Sequence, residues 1–195
     1  MKPFEELLSG SAKYHGHLCS GQVIGVRMAM LGCRLIGLKD PAAIREEIKK
    51  LIIYVEMDRC AADALAFVTG VKLGRRSLKF MDYGIMAATF LNLETGEAFR
   101  IISTEESREL VSAYAPGVQD RVAQEIEAYK KMSDDILFSI QKVDVPISEY
   151  DLPGRSKKKT TCSGCGQVVR DNKEVIIEGR PYCKPCAHGA YFRLI

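Results

Sequence analysis

Four cysteines in the last part of the sequence have the spacing of a zinc site. Cys162 and Cys165 form one Cys-x2-Cys pair, and seventeen residues separate it from a second pair, Cys183 and Cys186. A two-residue gap in a tight turn aims both sulfurs at one point, and the distance between the pairs is usual for four-thiolate zinc sites. The sequence therefore predicts a structural Zn²⁺ with no open position for a substrate. The alternative is a pair of disulfides, which a reducing compartment disfavours.

A second group of metal-ligand side chains lies in the stretch YHGHLCSG, residues 14–21. If this stretch is extended, alternation places His15, His17 and Cys19 on one face; if it is helical, His15 and Cys19 are still neighbours. Two imidazoles and a thiolate suit Zn²⁺ or a similar transition metal, and three ligands leave a coordination position open. The alternative is a histidine-rich turn that caps the following helix.

Cys60 is the expected additional member of this group. It follows the apolar run LIIYVE (residues 51–56), which is typical of a buried strand, and it falls in the first turn of a helix predicted over residues 57–69. A helix N-terminus favours a thiolate. We therefore predict an open metal site formed by His17, Cys19 and Cys60.

Two acidic residues flank Cys60. Asp58 is a predicted N-cap of the helix and Asp63 a solvated helix residue, although either could orient a ligand or accept a proton. The catalytic candidates of the sequence are thus Cys19, Cys60 and Asp63. Cys33 lies in an apolar helical stripe without polar neighbours, so we assign it to core packing.

Composition narrows the function classes. The 195 residues carry a net charge of only +3 and are 47% hydrophobic, as in an ordinary globular protein. The mild charge, with Lys157–Lys159 as its main basic run, makes a nucleic-acid partner less favoured than a protein partner of the tail. The polar start, the absence of a long apolar run and the odd number of cysteines lead us to expect a cytoplasmic protein with no membrane contact.

The segments that must position these residues indicate an α+β fold, a mixed helix and sheet core domain with a small C-terminal zinc ribbon. Strands are predicted at residues 88–93 and 98–103 around the turn ETGE, and an amphipathic helix at residues 104–114. Proline, glycine and three consecutive lysines mark a linker. The expected organisation is a core domain over residues 1–145, a linker over 146–159 and a ribbon over 160–195.

These motifs resemble those of a known family. HGHLCSGQVIG followed by a glycine-containing helix, and YVEMDRCAADAL at the end of a strand, resemble the FmdE family, named for the FmdE component of molybdenum- or tungsten-dependent formylmethanofuran dehydrogenase. The tail resembles a DksA/TraR-type zinc finger. The resemblance implies an α+β core, a homodimer and a site at His17, Cys19 and Cys60, with His15 as a fourth ligand or an orienting partner. The family usually has proline where this chain has Ser20.

Three functions follow from these expectations. The first is a dimeric metal-binding protein with an accessory role in molybdenum or tungsten enzymes or one-carbon metabolism. The second is a metal-dependent enzyme of undefined substrate, in which Asp63 or Glu56 moves protons. The third is a regulator that senses metal or redox state through Cys19 and Cys60 and contacts protein or nucleic acid through the ribbon.

Overall fold

The computed structural model describes all 195 residues and divides them into two compact units, Met1–Val145 and Pro146–Ile195. We call them the core unit and the ribbon unit. None of the helices combines the length and the apolar character needed to cross a bilayer.

The core unit places its helices against a single five-stranded sheet. The helices are α1 (Phe4–His15), α2 (Ser20–Leu35), α3 (Arg45–Ile48), α4 (Cys60–Thr69), α5 (Glu106–Glu109), α6 (Val111–Tyr114), α7 (Arg121–Lys131) and α8 (Asp134–Leu137). The strands are β1 (Leu51–Val55), β2 (Leu78–Phe80), β3 (Ala87–Asn92), β4 (Ala98–Ser103) and β5 (Phe138–Val143). The predicted α+β class is confirmed.

The sheet has the order β2-β1-β3-β4-β5 and is mixed. β1 and β2 are parallel and are connected through α4, whereas all other neighbouring strands are antiparallel. β3 and β4 form the hairpin predicted from the ETGE turn. Because α4 begins just after β1 ends, Cys60 lies at one end of the sheet, where helix and strand meet.

Helices α2 and α4 pack closely because α2 carries glycine at the contact. A Cβ atom built on Gly25 would lie 2.6 Å from the Cβ of Ala64 and 2.8 Å from both the Cα and the carbonyl oxygen of Ala61. Farther along α2, the ring of Phe90 occupies the space beside Gly32. The two glycines, seven residues apart, thus let first a helix and then a strand approach the backbone of α2.

Two sequence predictions about local structure are wrong. The helix expected at residues 104–114 is broken into α5 and α6 at Leu110, which is the cap residue of both. Asp58 is not the N-cap of α4; that position is Arg59, which is extended and makes no side-chain cap.

The ribbon unit consists of a short 3-10 helix (Glu149–Asp151), two small hairpins and one short α-helix. β6 (Lys159–Thr161) pairs with β7 (Val168–Arg170), and β8 (Val175–Ile177) pairs with β9 (Arg180–Tyr182), both antiparallel. Helix α9 (Lys184–His188) follows the second hairpin. Few of its side chains are buried, and Cys162 and Cys183 are the two hydrophobic residues of the unit that are. A unit with so small a core needs a further source of stability.

Candidate metal centres

The four ribbon cysteines converge. All four sulfurs lie within 4.8 Å of one another, and those of Cys165 and Cys183 are 3.7 Å apart. A tetrahedral zinc ion with Zn–S bonds of about 2.3 Å separates its sulfur ligands by about 3.8 Å. The donor set and its dimensions therefore fit Zn²⁺, which would be held by Cys162, Cys165, Cys183 and Cys186.

Backbone amides prepare one of these cysteines for metal binding. The backbone N–H of Cys183 donates to the sulfur of Cys162 at 3.2 Å. This bond, together with further backbone N–H groups, lowers the pKa of Cys162 to about 6. The hydrogen bonds among the cysteine side chains instead raise the pKa of Cys186 to about 12. A bound cation would replace the protons that these sulfurs share and would stabilise all four as thiolates, as expected for a zinc site.

The residues 15–19 connect α1 to α2 and form the second group, which we call the head site. His15 is the last residue of α1, and Gly16 ends the helix in the left-handed conformation, with φ of 102°. Cys19 is extended and is the N-cap of α2. Ligand atoms of His15, His17 and Cys19 lie within 4.8 Å of one another, and the two imidazole rings are 4.7 Å apart.

His15 has the features of a prepared metal ligand. Its Nδ1 is 2.8 Å from a carboxylate oxygen of Asp63, and its side chain is only 14% exposed. Its other ring nitrogen, Nε2, is buried and has no hydrogen-bond partner. A carboxylate that holds one ring nitrogen while the other faces an ion is the usual arrangement of metal-bound histidine. The head site therefore fits a metal that takes nitrogen and sulfur ligands, and His15 is its best-supported ligand.

Cys60 lies beside this set rather than within it. Its thiol is close enough to that of Cys19 to interact with it electrostatically, but it does not belong to the group whose ligand atoms all lie within 4.8 Å. Burial, followed by the interaction with the Cys19 thiol, raises the pKa of Cys60 above its ordinary value of 9.0, despite its place at the start of α4. The helix terminus alone does not make Cys60 a thiolate. Gly21 fits between the two cysteines, since a Cβ there would lie 3.0 Å from the Cβ of Cys60.

Sequence reasoning missed two buried polar residues that fasten the head site. Gln22 is completely buried; it is hydrogen-bonded to Ser11 of α1, and its Nε2 donates to the carbonyl oxygen of Cys60 at 2.6 Å. One side chain thus ties α1, α2 and α4 together. The sequence does contain an indication of this role, because Gln22 is the one polar residue on a helical face otherwise formed by Gly25, Ala29 and Cys33. A polar side chain buried on such a face needs hydrogen-bond partners.

Two other residues considered in the sequence, Cys33 and Glu56, contribute to the core and to an ion pair rather than to the head site. Cys33 is buried in the core, where burial raises its pKa to about 12, so the assignment to packing is consistent with its surroundings. Glu56 is buried and paired through both carboxylate oxygens with Arg100, at 2.7 Å each. This pairing leaves Asp63, which is 53% exposed, as the acid available at the head site.

Comparison with known proteins places both units in families. Residues 14–145 match the profile described as FmdE, Molybdenum formylmethanofuran dehydrogenase operon. Residues 155–192 match the prokaryotic dksA/traR C4-type zinc finger. The first match covers the head site and Cys60, and the second covers all four ribbon cysteines.

Two individual proteins are similar over nearly the whole chain. A probable S-adenosyl-L-methionine-binding protein of Archaeoglobus fulgidus is 24% identical over 97% of this chain, which spans only 54% of that relative. The crystal structure of a tungsten formylmethanofuran dehydrogenase FmdE-like protein from Syntrophus aciditrophicus superimposes with a TM-score of 0.59 at 19% identity, over 97% of this chain and 95% of that one. At that identity the likeness concerns the fold. From the profile match over most of its length, we conclude that the chain belongs to the FmdE family and carries a C-terminal four-cysteine zinc finger.

Proposed function

We propose that this protein is a metal-binding accessory protein with two metal sites of different kinds. The ribbon site is structural, and the head site holds a second transition metal, Zn²⁺ or a similar ion, through His15, His17 and Cys19. The observation that carries the proposal is the buried, unpartnered Nε2 of His15, whose ring is held from the other side by Asp63. A buried polar atom without a partner is costly in a protein interior, and a bound ion would remove that cost.

The head site would remain open to a further ligand. Three protein donors leave at least one position of a tetrahedral ion free, and His17 is exposed while Cys19 is only half buried. When bound, such an ion acts as a Lewis acid that polarises a carbonyl or lowers the pKa of water. Asp63 would hold the His15 ring in orientation, and Cys60 would serve as a proton-bearing neighbour of Cys19 or as a replacement ligand.

The biological role that we propose rests on the family. The description of the FmdE family refers to the molybdenum formylmethanofuran dehydrogenase operon. The similar crystal structure is described as an FmdE-like protein of the tungsten enzyme. We infer that the protein assists such a dehydrogenase, or a related enzyme of one-carbon metabolism, as a homodimer. Gel filtration of the chain with purified dehydrogenase would test this association; separate elution would argue against it.

The ribbon unit is proposed to contact protein rather than nucleic acid. Within this unit Lys157 pairs with Glu149 and Lys158 pairs with Glu174, so the basic run is partly neutralised. Exposed apolar side chains, by contrast, are frequent there: Val168, Ile176, Ile177, Tyr191 and Phe192. Apolar surface of this kind favours a protein partner.

The alternatives are a metal-dependent enzyme and a redox-sensing regulator. The contact between Cys19 and Cys60 supports the regulator, because two neighbouring thiols can form a disulfide on oxidation. The match to the archaeal relative over 97% of this chain adds S-adenosyl-L-methionine as a ligand to be tested by equilibrium dialysis. Dialysis against S-adenosylhomocysteine, which lacks the sulfonium charge, is the matched control.

Metal content tests the central proposal. The purified protein should contain about two metal ions per chain. Cys162→Ser should remove the ribbon zinc, and Cys19→Ser should remove the head-site metal. Cys33→Ala is the control, because Cys33 belongs to neither site, and this variant should keep both metals. In the Co²⁺-substituted protein, Cys19→Ser should abolish the weaker sulfur-to-metal absorption and preserve that of the four-thiolate site.

A single metal that survives Cys19→Ser and is lost in Cys162→Ser would refute the head-site proposal. If mild oxidant then joined Cys19 and Cys60 in a disulfide without release of metal, the redox regulator would be the better description.

A further inference from the structure

A cavity of about 500 Å³ opens next to the head site, within the core unit. This volume lies within the usual range for small-molecule sites, about 300–1,000 Å³. Its apolar lining comes from the end of β1, from the outward side of α4 and from the segment that leads into β2. These residues include Val55, Met57, Ala62, Ala66 and Val71, together with Leu73 and Leu78.

Two aromatic side chains line the cavity and remain open to solvent. Tyr14 is 62% exposed and Phe80 is 45% exposed. The ring of Tyr14 is not loose, because it packs on Phe67 with ring centroids 5.8 Å apart. Exposed aromatic rings around an apolar floor offer flat surfaces on which a planar molecule gains both apolar burial and ring contacts.

The charged residues of the lining are mainly acidic. Asp58 and Asp63 both contribute to it, against one base, Lys72. Negative charge next to aromatic faces favours a cation, since the carboxylates attract the charge and the ring faces attract it through their quadrupole. A planar anion would gain the ring contacts and would be repelled by the net charge of the two carboxylates.

We propose that this cavity binds a small planar organic cation, with its ring against Tyr14 and Phe80 and its charge towards Asp58 and Asp63. Asp63 also holds the Nδ1 of His15, so the occupant would lie directly beside a ligand of the head site. The inference goes beyond the proposed function and does not require it, because every residue that it uses is present without a metal.

A series of probes that share one pyridine ring and differ in charge tests the proposal. The probes are 1-methylnicotinamide, nicotinamide and nicotinate, which share one ring and are cationic, neutral and anionic. Saturation-transfer NMR titration of the full chain should give saturable binding in that order of affinity. Absence of saturable binding of the cation would overturn the proposal, and so would tightest binding of the anion.

Variants locate the binding. Phe80→Ala should weaken 1-methylnicotinamide by at least about threefold. Its matched control, Phe192→Ala, removes an exposed ring from the other unit and should change nothing. Asp58→Asn should reduce the preference for the cation over nicotinamide, whereas Glu109→Gln, which removes a carboxylate from α5, should preserve it.

Circular dichroism of each variant verifies folding. If Phe80→Ala is unstable, Tyr14→Ala on α1 repeats the test of the aromatic contact. Undiminished binding in both aromatic variants, or equal losses in the two carboxylate variants, would place the cation elsewhere and overturn the assignment.

Discussion

The two cysteine-containing centres of this protein are built in opposite ways. In the ribbon, residues separated by only two positions bring the sulfurs together, and the surrounding unit has almost no core of its own. At the head site, the end of α1 and the start of α2 present the ligands, and α4 supplies the two supporting residues, Asp63 and Cys60. The ribbon centre therefore needs its metal in order to fold, whereas the packed helices of the core unit position the ligands of the head site.

This difference bears on what each centre can do. Four thiolates saturate a tetrahedral ion and leave it only a structural role. The head site has fewer ligands, an exposed histidine and an adjoining cavity, and its supporting hydrogen bonds come from the buried Gln22 and the half-exposed Asp63. Rigid support from secondary structure is what an open site requires to keep its geometry without a fourth protein ligand.

The largest effect is expected from breaking the ribbon site. Cys183→Ser should release its zinc and unfold residues 146–195, because the metal supplies about 10 kcal/mol or more of folding free energy to such a unit. Limited proteolysis with mass spectrometry should find cleavage confined to that unit and an intact core unit. Ser163→Ala, which changes a residue that is not a ligand between Cys162 and Cys165, is the control. A ribbon that stays resistant to protease after losing its zinc would contradict the comparison.

The second effect concerns the packing on which the head site depends. Gly25→Ala should lower the free energy of unfolding of the core by about 2–3 kcal/mol, because the added Cβ meets backbone atoms of α4 that cannot move independently. Chemical denaturation followed by helical circular dichroism measures this, since nearly all helices are in the core unit.

Gly117→Ala is the control for this packing, because a Cβ there meets no atom within 4 Å. The same Gly25→Ala variant should bind metal more weakly at the head site and retain the ribbon zinc. Equal losses at the two centres would show that they are not built independently.

The smallest effect sharpens the role of a single hydrogen bond. Asp63→Asn should weaken head-site metal binding by about tenfold, at the lower end of the range for such supporting carboxylates because Asp63 is half exposed. Competition with a chromogenic chelator measures the affinity, and the ribbon zinc should not change. Asp135→Asn removes an exposed charge elsewhere and should have no effect; an equal loss in that variant would indicate long-range electrostatics instead.

The sequence was most informative where structure is local. The spacing of Cys162, Cys165, Cys183 and Cys186 predicted a four-thiolate site because neighbouring residues in tight turns have few ways to point. The β3–β4 hairpin and the end of α4 at Gly70 were predictable for the same reason, since turn and cap residues act within a few positions. The α+β class followed from these elements.

The head site was decided only by tertiary structure. The sequence placed His15, His17 and Cys19 near one another, but it could not show that Asp63, 48 residues away, would hold His15, or that Gln22 would tie α2 to Cys60. It also placed Cys60 among the ligands and favoured its thiolate, whereas the packed structure sets it against Cys19 and raises its pKa by burial. Contacts between distant segments depend on how the helices pack, and the pKa of a side chain depends on how deeply that packing buries it. The spacing of residues along one segment predicts neither the contacts nor the burial.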